Sequence, residues 1–165
     1  MEENKINKQE RMERIFPDYF SLFELPEGAR DEELQVYRAC KSGKCDEISF
    51  IPTYEERGCK IYEGEDSKDP GLYSLSTFEN PIHIKRFASM NSDMQVPYKI
   101  AIGITERRWG LVQPTRERKS KSKSHVDWWL YKGATPHKSF ELIADFEKYL
   151  EAYIKERDEK NVQVR

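Results

Sequence analysis

This chain predicts an α+β fold: a single domain with a bent, largely antiparallel sheet flanked by helices. Three features carry that expectation. Apolar residues recur at helical i, i+3, i+4 spacing near both ends, while the middle holds short extended runs separated by Gly, Pro, Asp and Ser. Two cap-plus-proline pairs, Asn80-Pro81 and Thr135-Pro136, carry helix-start chemistry. The length, 165 residues, matches one core rather than two.

The composition narrows the class of protein. Lys and Arg total 28 against 30 Asp and Glu, so no whole-molecule field draws the chain onto nucleic acid or an anionic membrane, and a histone-like or polybasic binder is excluded. Charged residues make up 35%, above the roughly 25% of typical soluble domains, which predicts a densely charged surface. Nine Tyr, eight Phe and three Trp supply enough large side chains for a core. No run approaches the roughly 20 apolar residues of a membrane helix, and Met1-Glu2-Glu3-Asn4-Lys5 lacks the order of a signal peptide. The expected location is therefore cytoplasmic. Cys40 and Cys45 have four residues between them, but a lone Cys59 with no nearby histidine does not complete a zinc site. The expected state is three reduced, partly buried thiols and no metal.

The elements follow in order. Residues 4–14 are so charged that they predict a solvated helix or arm, giving a division into an arm over 1–15, a core over 16–155 and a polar tail over 156–165. Phe16, Tyr19, Phe20 and Phe23 share one helical face and predict a core-docking helix. Pro26-Glu27-Gly28 breaks it, and short strands are expected over 36–39, 48–51, 60–62 and 72–76. A helix over 81–90 buries Ile84, Phe87 and Ala88. Ile100, Ile102 and Ile104 alternate with smaller residues, and the turn Glu106-Arg107-Arg108 leads into residues 109–113, which together predict a β-hairpin. Residues 116–124 hold five basic side chains and one acidic one among serines, and predict a mobile, exposed loop between strands. A strand follows over 125–131. Phe140, Ile143, Phe146, Leu150 and Tyr153 then mark one face of a long closing helix that begins at Pro136.

Four stretches could carry chemistry. In His125-Val126-Asp127-Trp128-Trp129-Leu130-Tyr131 the two-residue period sets Val126, Trp128 and Leu130 on a core face, and His125, Asp127, Trp129 and Tyr131 on the other. That second face can grip an aromatic or sugar-bearing ligand and do proton or charge work on it, or it can be a surface strand satisfied by cross-strand pairs. Arg38, inside Val36-Tyr37-Arg38-Ala39, sits where desolvating a cation is costly, so it is expected to hold an anion, either a neighbouring carboxylate or a ligand phosphate. The hydroxyls of Tyr73-Ser74-Leu75-Ser76-Thr77-Phe78 can hold a ribose or phosphate, or form turns and caps. Residues 50–56 read either as a ligand-covering loop or as a turn with a capping threonine.

In this order, a strand with Tyr37-Arg38, a Ser74-Leu75-Ser76-Thr77 strand about forty residues on and a late carboxylate-bearing strand, the chain resembles ADP-ribosyltransferase-like domains of the arginine–serine–glutamate type. It is also similar to small bacterial and phage proteins with a strand ending in a His-x-x-Trp-Trp type sequence, here His125 to Trp129. The resemblance implies NAD as cofactor. Arg38 would contact the dinucleotide phosphates, Ser74 or Ser76 would support the nicotinamide ribose, and Tyr37, Thr77 and Trp129 would complete the cofactor-binding set. The family's glutamate, which stabilises the oxocarbenium-like centre as nicotinamide leaves, has Asp127, one methylene shorter, or Glu106 at the hairpin tip as its counterpart, with His125 beside it.

Three functions follow as expectations. In the first, a cleft lined by Arg38, Ser76, His125 and Asp127 binds NAD and transfers ADP-ribose to a macromolecule, protein or nucleic acid, steered by the basic loop. In the second, the chain is a non-enzymatic accessory protein of a phage or mobile element that binds a host protein through Trp128, Trp129 and a tyrosine-rich surface. The third is RNA binding through the net +4 of residues 116–124, a stretch with no stacking aromatic interleaved.

Overall fold

The computed structural model describes residues 14–91 and 98–163. Almost all of the predicted N-terminal arm lies outside them. Six strands, β1 Gln35–Cys40, β2 Leu75–Phe78, β3 Lys99–Ile104, β4 Gly110–Pro114, β5 His125–Leu130 and β6 Phe140–Leu142, form one open sheet in the order β4-β5-β2-β1-β3-β6. Every neighbouring pair is antiparallel. Among the described residues three helices accompany the sheet: α1 Thr53–Glu56, α2 Pro81–Asn91 and α3 Phe146–Gln163. The α+β class and the antiparallel sheet are as the sequence predicts. None of the helices among the described residues is long and apolar enough to cross a membrane.

The sheet is curled. Arg30 bridges Val112 on the edge of β4 that faces away from β5, yet Gln35, five residues on, already pairs with Ile104 in β3. In a flat sheet that path would cross four strand spacings, roughly 19 Å, whereas five residues reach only about 17 Å. The concave face packs Val36, Leu75, Val112, Val126 and Trp128 against Phe50 and Trp109. The convex face is covered in two parts. Tyr37, Ala39 and Ile100 pack against Ile84 and Ala88 of α2, with Phe146 and Tyr149 of α3 beside them. Trp129 packs against Tyr73, Phe23 and Tyr54.

Several elements differ from the sequence reading. The aromatic run Phe16, Tyr19, Phe20, Phe23 does collect on one side, with Phe16 stacked on Phe20 at 4.7 Å and Phe23 on Tyr73 at 4.3 Å, but its backbone is a short 3-10 turn, Asp18–Leu22. The expected strand over 48–51 is a 3-10 turn, Glu47–Phe50, because the Asp46 carboxylate caps the Ser49 N–H, and it leaves Ile48 68% exposed. Residues 60–62 form no strand, since Gly58, Cys59 and Gly64 all take positive φ and keep turning the chain. The 72–76 strand begins only at Leu75, after the turn Pro70–Tyr73. α2 starts where Asn80-Pro81 placed it, with Asn80 Oδ1 accepting the Ile82 N–H at 2.9 Å.

The predicted hairpin is the largest correction. Both its strands exist, but β3 has its two edges taken by β1 and β6, so β4 leaves the turn to pair with β5 instead. The closing helix is shorter at its start than expected. Pro136 opens a 3-10 turn, Pro136–Ser139, and Phe140 to Leu142 then join the sheet beside the side-chain-free Gly103, where the Phe140 ring lies against the strand. At its other end α3 continues to Gln163 through most of the expected tail. Gly110 plays the same part in β4, because a Cβ there would run into the Trp129 carbonyl oxygen. Gly110→Ala is therefore expected to cost about 1–3 kcal/mol, read as a fall in the thermal midpoint with a native-like far-ultraviolet spectrum; an unchanged midpoint would contradict this packing.

Candidate functional site

Two constellations stand out, one buried and one open. The buried one centres on Asp127, which the β2–β5–β4 register sets opposite Ser76 and Gln113. Its carboxylate is 1% exposed. It accepts hydrogen bonds from Ser74 Oγ at 2.6 Å, Thr115 Oγ1 at 2.7 Å and Arg118 Nη2 at 2.8 Å. Arg118 also donates to Gln113 Oε1 at 2.7 Å, and its guanidinium carbon lies 5.5 Å from the centre of the Trp129 ring. A threonine hydroxyl has a single proton. Since Thr115 gives it to Asp127, the 2.5 Å contact between Thr115 Oγ1 and His125 Nδ1 has the imidazole Nδ1–H as donor. Burial holds His125 below the ordinary imidazole range; Asp127 opposes that shift, while the charges of Arg118, Arg38 and Lys119 add to it.

Three donors, a guanidinium and two hydroxyls, meet the Asp127 carboxylate in this network, and its burial keeps it from solvent. What it does is structural: it joins β5 to the entry of β2 through Ser74, to β4 through Arg118 and Gln113, and to the segment after β4 through Thr115.

The predicted cofactor set does not converge. Tyr37 pairs with Phe78, so by antiparallel register Arg38 lies opposite Thr77, which pairs with Val126, which pairs with Pro114. Arg38 thus shares its face of the sheet with Val126, one step out of phase with Asp127, and Ser76, His125 and Asp127 are on the other side. Arg38 is 6% exposed and holds no anion among the described residues. Instead it donates from Nε to the Ser49 carbonyl and from Nη1 to the Ser76 carbonyl, both at 2.9 Å, and burial lowers its pKa. Tyr37 Oη meets Tyr149 Oη at 2.5 Å beneath the helices, Thr77 donates to the Val126 carbonyl at 3.1 Å, and Trp129 Nε1 donates to the Pro70 carbonyl at 3.0 Å. Glu106, in the turn after β3, pairs with Arg108 at 3.2 Å. Trp128 and Trp129 are both fully buried and cannot form the expected protein-binding surface. Cys40 is buried and Cys45 half-buried, but Cys59 is exposed, and no cluster of metal-ligating side chains occurs among the described residues.

The segment over 116–124 is more tightly held than its charge predicts. Thr115–Glu117 is a 3-10 turn, Arg116 pairs with Glu79 at 3.0 Å, Lys119 with Asp69 at 3.3 Å, and Glu117 accepts from Arg30 Nη1 and Nη2, each at 2.9 Å. Lys121 and Lys123 have no such partner among the described residues. Across from them stands α2, whose His83, Arg86 and Phe87 fall at i, i+3, i+4 on one helical face. Between the two lies a cleft of about 200 Å³, floored by Phe78 and Phe87 and lined by His83, Arg86, Lys121 and Lys123, with no carboxylate. The two phenyl rings are 5.6 Å apart. Burial lowers the His83 pKa, and the charges of Lys123 and Arg86 lower it further. The helical spacing was the signal in the sequence, but nothing there joined α2 to a loop forty residues later.

A larger groove of about 860 Å³ runs between the first turn, residues 47–55 and residues 130–137. Part of the segment over 50–56 lines it, as do Asp18, Glu47, Glu55 and Lys132, but no residue of the predicted NAD set does. No family model matches this chain, and no curated protein or solved structure is similar to it.

Two outcomes follow from the buried network. Asp127→Asn keeps the shape but leaves Arg118 with an uncompensated charge, and is expected to cost about 3 kcal/mol in a denaturant titration; a loss within a few tenths would show the pair to be idle. For His125 the folded pKa lies below the unfolded value, so its contribution is present above about pH 6.5 and is lost as pH falls through that value toward the folded pKa. The slope is at most about 1.4 kcal/mol per pH unit. His125→Asn keeps an N–H for Thr115 and should flatten the fall in melting temperature between about pH 7 and 5, a flattening whose absence would place the titration elsewhere.

Proposed function

We propose that this chain is a nucleic-acid-binding domain without transferase chemistry of its own, and that its interface is the basic face made by α2 and residues 116–124. The observation that carries this reading is the division of charge. Glu79 is paired with Arg116, Asp69 with Lys119 and Asp127 with Arg118, while Arg86, Lys121 and Lys123 line the cleft without an ion-pair partner among the described residues. A chain of net charge −2 can still carry a local positive field where cations without an ion-pair partner line one cleft. The aromatic residues missing from the loop's own sequence are provided by Phe78 and Phe87.

The ADP-ribosyltransferase reading keeps one support, the placement of Arg38, the Ser74 to Thr77 hydroxyls and the His125/Asp127 pair on the neighbouring strands β1, β2 and β5. Calorimetry separates the two. NAD at millimolar concentration is expected to give no heat, whereas a site of even about 4 kcal/mol would register. Labelled oligonucleotides are expected to bind with a log–log salt slope of about −2, since three phosphate contacts release about 0.7 counterion each from a single strand. Heat with NAD that Arg38→Ala removes, together with a flat salt profile, would reverse the choice.

A further inference from the structure

We infer that the cleft between α2 and residues 116–124 is a pocket for one nucleotide of a single-stranded nucleic acid, with its base against Phe78 and Phe87 and its phosphates on Arg86, Lys121 and Lys123. This rests on the nucleic-acid-binding reading and names the form of the ligand. At about 200 Å³ the cleft is smaller than the roughly 300–1,000 Å³ of sites for drug-sized ligands, so it can enclose the base of one nucleotide, with sugar and phosphate outside at its rim, and is too small for a dinucleotide. A duplex presents phosphates but keeps its bases stacked inside, and could not use a recessed aromatic floor; an unpaired base can.

The walls are joined before any ligand arrives. Ser124, at the end of the basic segment, ties to the start of α2 three times. Its carbonyl accepts the Glu79 N–H at 3.0 Å, its Oγ accepts the Asn80 N–H at 3.2 Å, and the same Oγ lies 2.7 Å from His83 Nδ1. On the floor, Phe78 is further fixed edge-on to His125 at 5.1 Å. The neighbouring Lys123 has a φ of +51°, a conformation lysine rarely adopts, and is held there by turns in which Ser122 donates to the Lys119 carbonyl and His125 to the Ser122 carbonyl. That backbone places Lys123 among the residues that line the cleft. Arg86 opposite presents a planar fork that matches a phosphate bidentately, and lysines on the other wall add point charges. A phosphopeptide would use the cations and leave the rings idle. A lipid surface would ask for protruding apolar residues, whereas both phenyl rings here are half-buried.

The test uses the whole chain and three probes read by fluorescence anisotropy or competition: a short single-stranded oligouridylate, inorganic polyphosphate of matched charge, and phosphatidylserine vesicles. At about 0.3 M salt, where screening weakens purely ionic binding, the oligonucleotide is expected to bind at least about tenfold more tightly than polyphosphate, since stacking on the rings is not screened. Lys121→Gln with Lys123→Gln should weaken both anions and reduce the salt slope. Phe87→Leu, checked for an intact fold by circular dichroism, should weaken the oligonucleotide about fivefold or more and leave polyphosphate unchanged. Equal binding of oligonucleotide and polyphosphate, or an equal loss of both in Phe87→Leu, overturns the pocket while the nucleic-acid reading stands. Binding of vesicles alone, or of no probe, overturns both.

Discussion

One buried carboxylate organises this fold. Asp127 lies within β5, a strand paired on both edges, a position that an aspartate occupies at a cost unless its charge is met. The structure meets it with Ser74, Thr115 and Arg118, which come from the entry to β2 and from the segment after β4. Because all three must reach one point, the approach to β2, the exit from β4 and β5 itself are held in a single arrangement. The 116–124 segment, which composition alone would leave loose, is anchored at its base as a consequence.

That anchoring determines where the remaining charge goes. Once Arg118 turns inward to Asp127, and Arg116 and Lys119 reach acids on neighbouring segments, the outer part of the segment is left with Lys121 and Lys123 facing α2. Ion pairs at the surface contribute little stability individually. Their larger effect here is to sort the basic residues into those that hold the segment and those that are left to face a ligand. Ser124 completes the arrangement by tying the end of this segment to the start of α2.

The phase of the strands explains why Arg38 and Asp127 do not share one cleft. Arg38 points to the concave side, where Val36, Cys40 and Trp128 form a close-packed interior, and it satisfies its guanidinium on two backbone carbonyls. Asp127 points to the convex side. Motifs that follow one another correctly along a chain meet only if their strands are in register and in phase, and a one-residue offset puts them on opposite faces.

Much of this was legible from residue patterns. The face split of β5 followed from its two-residue period, α2 from Asn80-Pro81 and its apolar stripe, and the docking aromatics from the spacing of Phe16 to Phe23, since each depends on neighbours a few positions away. The strand partners of β3 and β4 did not, because pairing depends on which edges remain free once the whole sheet has assembled. The turn over 47–50 and the late start of α3 were decided by a single capping side chain and by a side-chain-free Gly103 beside the Phe140 ring. By itself, then, the sequence determined the periodic elements and the charge inventory of this protein. The tertiary structure alone decided which charges were consumed, which faces met and where an aromatic floor came under the remaining cations, because those are contacts between residues tens of positions apart, on which local periodicity carries no information.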